Sequence, residues 1–244
     1  HRQYLEAGAD IIETNTFGAT RIALADFEMQ EYCRELNLAA CQVARRAVDA
    51  MNAKTPERPR FVAGSIGPTT KQLSITGNVE DAAHREFGFD DFVDNFYEQV
   101  AALVEGGVDL LLTETNIDTL VLKACLFAIE KYFDDTGVRV PVMASFTIFE
   151  SGRTLSAQTV EACWNSISHA DLFSVGINCS LGPTQLRPYL EELSRISPIW
   201  VSCYPNAGLP NEMGGFDETP RQMAGTLSEF AENGWLNIVG GCCG

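Results

Sequence analysis

The feature that most constrains this chain is a pattern that recurs along its whole length. A short, almost continuously apolar run ends in small or polar residues, and a longer helical stretch lies between one run and the next. The runs are Asp10–Thr16, Phe61–Gly67, Val108–Thr115, Val140–Thr147, Leu172–Cys179, Ile199–Tyr204 and Leu236–Gly241. Strands that are apolar on both faces belong to a parallel sheet covered by helices on both sides. Ala23–Met51 is expected to be helical for much of its length, and helices are expected over Asp91–Glu105, Thr119–Tyr132, Thr159–His169, Leu186–Ser194 and Thr219–Glu232. Phe92, Phe96, Val100 and Leu103 fall at three- and four-residue spacing, with Gly106 and Gly107 as a stop signal. In the first long helix the apolar stripe is read as Leu24, Phe27, Leu36, Leu38 and Val43. No linker interrupts the alternation, so residues 1–244 are expected to form one domain.

Repeated strand–helix units build either an open doubly wound sheet or a closed barrel. Neither a Gly-x-Gly-x-x-Gly turn nor a Walker A loop is present. Polar or reactive residues instead end nearly every strand: Asn15, Ser65, Glu114, Thr147, Cys179, Tyr204 and Cys242. A ring of such residues is how a (β/α)₈ barrel assembles its site, and 244 residues suit one such barrel. The expected class is therefore α/β, a TIM-type barrel. Seven strands are found where eight are needed. The opening Arg2–Ala7 reads as the end of a helix capped by Gly8, and the text stops just after a strand. The expectation is a barrel truncated at both ends, missing its first strand and last helix; an open or seven-stranded arrangement is the alternative.

Composition excludes some partners. A formal charge of −16 argues against nucleic acid or an anionic membrane. No apolar run approaches the roughly 18–20 residues of a membrane span, and His1-Arg2-Gln3-Tyr4 does not read as a signal peptide. The eight cysteines are spread too thinly for a disulfide-stapled domain, and four of them lie in helical text. A reducing, cytoplasmic setting is expected.

Three cysteines differ from the others. Cys179 ends one strand, and Cys242 and Cys243 end the last, in Gly240-Gly241-Cys242-Cys243-Gly244. In a barrel those two strands are two apart, about 10 Å at roughly 4.8 Å per neighbour. Three thiolates suit Zn²⁺, and three protein ligands leave a position for substrate, the pattern of a catalytic zinc. The glycines let the backbone turn so that two consecutive side chains can face one ion. The competing reading is that these thiols are small buried hydrophobes, the usual fate of a free cysteine. That reading is preferred for Cys33, Cys41, Cys125 and Cys163, while Cys203, also at a strand end, stays a reserve ligand.

The segments Gly176–Pro183 (GINCSLGP), Pro205–Asn211 (PNAGLPN) and Gly240–Gly244 (GGCCG) resemble the homocysteine-binding barrel of cobalamin-dependent methionine synthases, within the homocysteine S-methyltransferase family. Asp10–Phe17 (DIIETNTF) and Ser151–Ser156 (SGRTLS) are similar to it as well, so the likeness runs over the whole chain. It implies a (β/α)₈ barrel holding zinc through Cys179, Cys242 and Cys243, with Asn206 as a displaceable fourth ligand. It implies that Glu114 holds the substrate's ammonium group, and Asn178, the residue before Cys179, is assigned to the substrate as well. A carboxylate in the apolar run Leu110–Glu114 needs a partner to stay charged, and a protein cation is the alternative to the substrate. The Asp-Gly-rich first strand of the family is missing from this sequence.

The implied reaction follows from thiol chemistry. A thiol of pKa about 8.5 is mostly protonated at neutral pH, and the thiolate is the nucleophile. Zinc would keep the homocysteine sulfur ionised for attack on a methyl carbon, giving methionine. The resemblance points to methylcobalamin as donor, with cobalamin-binding and folate-binding modules elsewhere in the same polypeptide. S-methylmethionine or betaine is the rival donor, and a non-catalytic zinc-binding interaction module the rival from another class. His1, His84 and His169 sit in no metal or catalytic spacing.

Overall fold

A computed structural model describes residues 1–244. Seven parallel strands alternate with helices: α1 (Arg2–Ala7), β1 (Ile11–Glu13), α2 (Arg21–Ala25), α3 (Cys33–Asn52), β2 (Phe61–Ile66), α4 (Phe89–Glu105), β3 (Leu110–Asn116), α5 (Thr119–Thr136), β4 (Val142–Phe146), α6 (Val160–Ile167), β5 (Ser174–Asn178), α7 (Pro183–Ile196), β6 (Trp200–Tyr204), α8 (Pro220–Glu232) and β7 (Ile238–Val239). All seven expected strands exist, each shorter than its apolar run. The chain is described as two compact units, His1–Thr113 with Leu120–Val142, and Glu114–Thr119 with Met143–Gly244.

In the first unit β2 pairs in parallel with β1 (Ile12 opposite Val62) and with β3 (Gly64 opposite Leu111). The expected face of α4 is the one that is buried: Phe92, Phe96, Val100 and Leu103 are all within 1% of complete burial. The segment Ala23–Met51 is helical for most of its length, as expected, but with a break. It is not one helix: α2 ends at Ala25, Glu28 turns into the left-handed region at φ 57, and a 3₁₀ turn over Gln30–Tyr32 precedes α3. The Met29 amide bonds back to the Leu24 carbonyl at 3.0 Å, closing the helix end. The stripe shifts accordingly. Phe27, Leu36 and Val43 are exposed, and α3 buries Cys33, Asn37, Cys41, Ala44, Val48 and Met51 instead.

A buried asparagine on that stripe has a physical reason. The Asn37 amide donates to the Ala19 carbonyl at 2.8 Å, and Gln99 of α4 donates to the Thr16 carbonyl at 2.8 Å and to Asn37 Oδ1 at 3.1 Å. These side chains satisfy the buried backbone of the loop between β1 and α2, which an apolar residue would leave unpaired.

In the second unit β4, β5, β6 and β7 pair in parallel in chain order, with Gly176 opposite Ser202 and Cys203 opposite Val239. Leu186, Leu190 and Leu193 of α7 repeat at four and three residues and are fully buried. Thr159 and Thr219 cap α6 and α8, each hydroxyl accepting a first-turn amide. No helix is long and apolar enough to cross a membrane.

Candidate metal centre

The site lies in the second unit, where three strand ends carry Cys179, Asn206 and the Cys242–Cys243 pair. Hydrogen bonding continues past the last ladder residues and sets their register. The Cys179 amide donates to the Tyr204 carbonyl at 2.9 Å, and the Asn206 amide to the Leu181 carbonyl at 3.0 Å. Beyond β7 the Gly240 amide reaches the Cys203 carbonyl at 3.1 Å, Cys242 donates to Pro205 at 2.9 Å, and Ala207 donates to Cys243 at 2.8 Å. The paired cysteines are therefore laid along residues 203–207 rather than left as a loose tail. Gly240 is needed for this: a Cβ there would stand 2.6 Å from the Tyr204 ring.

The three sulfurs converge. All lie within 4.8 Å of one another, with Cys179 to Cys243 at 3.8 Å and Cys242 to Cys243 at 3.9 Å. Four ligands at about 2.3 Å in a tetrahedron put neighbouring sulfurs about 3.8 Å apart, and the two pairs that include Cys243 stand at that spacing. Cys179 and Ser180 both adopt left-handed backbone, φ 65 and 63, which turns the Cys179 side chain at the end of β5. Non-glycine residues seldom hold such angles, and they concentrate at functional sites.

The electrostatics single out one thiol. Hydrogen bonding from the Cys242 thiol draws Cys179 down to about 5, against the opposing effect of its own burial; the Ser180 backbone, Cys243 and the Asn206 amide assist. Cys242 moves up, chiefly because its proton is held on Cys179 and it is partly desolvated, and Cys243 moves up through desolvation and the neighbouring charge. The three thiols therefore titrate as a coupled set, with one thiolate cradled by two thiols. The remaining cysteines stay outside it. Burial pushes Cys33 and Cys41 up to about 11 and Cys125, Cys163 and Cys203 up to about 12, so all five pack as hydrophobes, the reserve candidate Cys203 included.

Asn206 is at the cluster. It is buried, its Oδ1 accepts the Cys243 amide at 3.0 Å, and its side chain helps to draw the Cys179 thiol down. Glu114 is buried near the end of β3, with the Thr115 hydroxyl at 3.5 Å from Oε2. Asn178, the residue before Cys179, is fully buried. Its Oδ1 accepts the Thr115 amide at 2.9 Å and the Ser145 hydroxyl at 2.7 Å, while its Nδ2 donates to the Thr115 hydroxyl at 2.7 Å. Thr147 donates to the Asn178 carbonyl at 3.0 Å. Thr115 and Ser145 were not singled out in the sequence. A Thr at φ 57 leaves no mark there, and a Ser inside an apolar strand reads as a packing residue.

Comparison with known proteins agrees with this geometry. The family model for homocysteine S-methyltransferase matches residues 1–244. The metallated form of the homocysteine methyltransferase MmuM from Escherichia coli superposes with a TM-score of 0.74 at 23% identity, covering 100% of this chain and 78% of that one. Its oxidized form gives 0.78 at 22% identity, with the same coverage. A putative phosphonomutase from Burkholderia cenocepacia J2315 is more distant, with a TM-score of 0.51 at 15% identity over 96% of this chain and 88% of that one. At these identities the superpositions speak for the fold, and the family match over every residue speaks for the chemistry. The chain belongs to the homocysteine S-methyltransferase family and is a methyltransferase.

Proposed function

We propose that this chain is a zinc-dependent homocysteine-activating module that passes a methyl group from methylcobalamin to homocysteine, giving methionine. The observation that carries the reading is the convergence of Cys179, Cys242 and Cys243 at the spacing of one tetrahedral ion. A donor set of three sulfurs favours zinc over hard cations, which prefer oxygen. The description of one similar protein as metallated supports a resident metal. Zinc, when bound, supplies a position at which the substrate thiol is kept as thiolate at neutral pH.

The residues divide the remaining work. Cys179, already inclined to ionise, offers the first anionic ligand, and Cys242 and Cys243 complete the set by losing their protons. Asn206 fixes the Cys243 backbone and faces the Cys179 sulfur, a place from which its amide serves as the displaceable fourth ligand. Glu114 binds the substrate's ammonium group; burial strengthens such a charge pair relative to water. Asn178 belongs to the substrate side of the site through its bonds to Thr115. The donor assignment rests on the Pro205–Asn211 loop, whose sequence resembles the cobalamin-dependent branch and which brings Asn206 to the sulfurs. Cobalamin-binding and folate-binding modules of the same polypeptide belong to this proposal, as do a cytoplasmic setting and a TIM-type (β/α)₈ barrel to which residues 1–244, as one domain, contribute seven strands. Seven parallel strands in chain order and the unbroken family match support the last point.

The test is zinc X-ray absorption on the full-length protein, with and without homocysteine. Three sulfurs and one lighter ligand are expected alone, and four sulfurs with substrate. An unchanged spectrum would remove homocysteine from the metal. Methyl-transfer assays with methylcobalamin, S-methylmethionine and betaine then separate the donors. Transfer from either of the latter two alone would overturn the cobalamin assignment.

A further inference from the structure

We propose that Asn178 is a positioning residue: its side-chain amide holds Thr115 in a left-handed conformation and so sets the direction of Glu114 toward the substrate. The proposal rests on the homocysteine-activating reading above and deepens it. Thr115 stands at φ 57, where a β-branched residue is strained, and that angle persists only where surrounding contacts impose it. One side chain supplies such contacts. Asn178 takes two of the three polar groups of Thr115, the amide at 2.9 Å and the hydroxyl at 2.7 Å.

The amide's orientation is fixed by this pairing. A backbone N–H can only donate, so the atom facing it at Asn178 is the oxygen. That oxygen also accepts Ser145 Oγ at 2.7 Å, and both of its lone pairs are then in use. Asn178 therefore has no side-chain acceptor left for the substrate's ammonium, and the role assigned to it here is exerted through Thr115.

The arrangement also links two turns. The neighbours of the Asn178–Thr115 pair are Cys179, at φ 65, and Glu114. A single buried amide thus stands between the residue that binds metal and the residue that binds the amino-acid head group. Both are held relative to β4 through Ser145 and through the Thr147 hydroxyl on the Asn178 carbonyl.

The experiment compares Asn178→Ala, Thr115→Gly and the double variant in the zinc-loaded full-length protein. Readouts are homocysteine affinity by calorimetry, zinc by elemental analysis and crystal structures of the variants. Asn178→Ala is expected to weaken homocysteine binding on the order of tenfold with one zinc retained. Thr115→Gly alone should stay within about twofold, because glycine adopts positive φ without being held. The double variant should regain most of the lost affinity. A merely structural role for Asn178 predicts zinc loss together with affinity, and no rescue by glycine; that outcome overturns the proposal, as does unchanged affinity in Asn178→Ala. Should the wild type bind zinc but not homocysteine, the functional reading fails by itself. The crystal structure of Asn178→Ala then decides the positioning role: Thr115 leaving the left-handed region upholds it, and Thr115 remaining there refutes it. If Asn178→Ala does not fold, the Thr115→Gly affinity decides alone, a loss beyond tenfold refuting the proposal.

Discussion

Proton release on metal binding gives the sharpest test of the cluster's electrostatics. In protein stripped of metal by a chelator, Cys179 is held down to about 5, so at pH 7 roughly 1% of it is protonated. Cys242 and Cys243 are displaced the other way, above an ordinary value of about 8.5, and both retain their protons at that pH. A metal held by three thiolates must remove the protons that remain, and here these number about two. Between roughly pH 6 and 8 the logarithm of zinc affinity should rise with a slope of two, about 100-fold or 2.7 kcal/mol per pH unit. As pH falls through about 5, Cys179 also takes up a proton and the slope steepens toward three. The assay is zinc titration calorimetry at pH 7 in buffers of differing ionisation enthalpy, against a competing chelator of known affinity. Release of three protons would refute a preformed Cys179 thiolate. Release of one or none would mean that Cys242 or Cys243 is also ionised before metal arrives, contrary to the hydrogen bonding described.

Other expectations follow from the same contacts. Cys179→Ala and Cys242→Ala should each abolish stoichiometric zinc by elemental analysis, and full occupancy in either removes that residue from the ligand set. Glu114→Gln should weaken homocysteine binding with zinc retained; equal calorimetric affinity excludes Glu114 from the head-group contact. Gly240→Ala forces a methyl group to 2.6 Å from the Tyr204 ring and should displace the paired cysteines, lowering zinc affinity at least tenfold in a chelator competition. Phe96→Ala, in the core of the first unit, should cost about 3–5 kcal/mol in urea unfolding, and a loss under about 1 kcal/mol would contradict its complete enclosure.

The parts of this protein that were legible in its sequence share one property: they repeat or they cluster. Seven apolar runs announce seven parallel strands, and Phe92, Phe96, Val100 and Leu103 mark the buried face of α4 by their three- and four-residue spacing. The paired cysteines between glycines were equally visible. The face of α3 was not. Apolar spacing selected Leu36 and Val43, whereas the backbone of the loop after β1 demands donors, and Asn37 and Gln99 answer that demand from inside the core. A hydrophobic pattern counts side chains and is blind to unpaired carbonyls. The break at Glu28 was hidden for a related reason, since a left-handed residue other than glycine leaves no compositional trace.

The same blindness explains what was missed at the site. Cys179, Ser180 and Thr115 are all non-glycine residues at φ near 60, and none could be told from an ordinary strand end. Glycine would adopt these angles more easily, but it has no side chain to offer a metal or to be gripped by an amide. Where the residue must bring a sulfur, as at position 179, the strain has to be borne, and surrounding hydrogen bonds have to hold it. The Cys179 amide on Tyr204, the Leu181 amide on the Cys179 carbonyl at 2.7 Å and the Asn178 grip on Thr115 are those bonds. Strain and its restraint therefore lie on the same few residues that carry the chemistry. A substitution that merely relaxes the backbone there, such as Ser180→Gly, should leave zinc in place, whereas one that removes a restraint, such as Asn178→Ala, should lower substrate affinity before it lowers metal content.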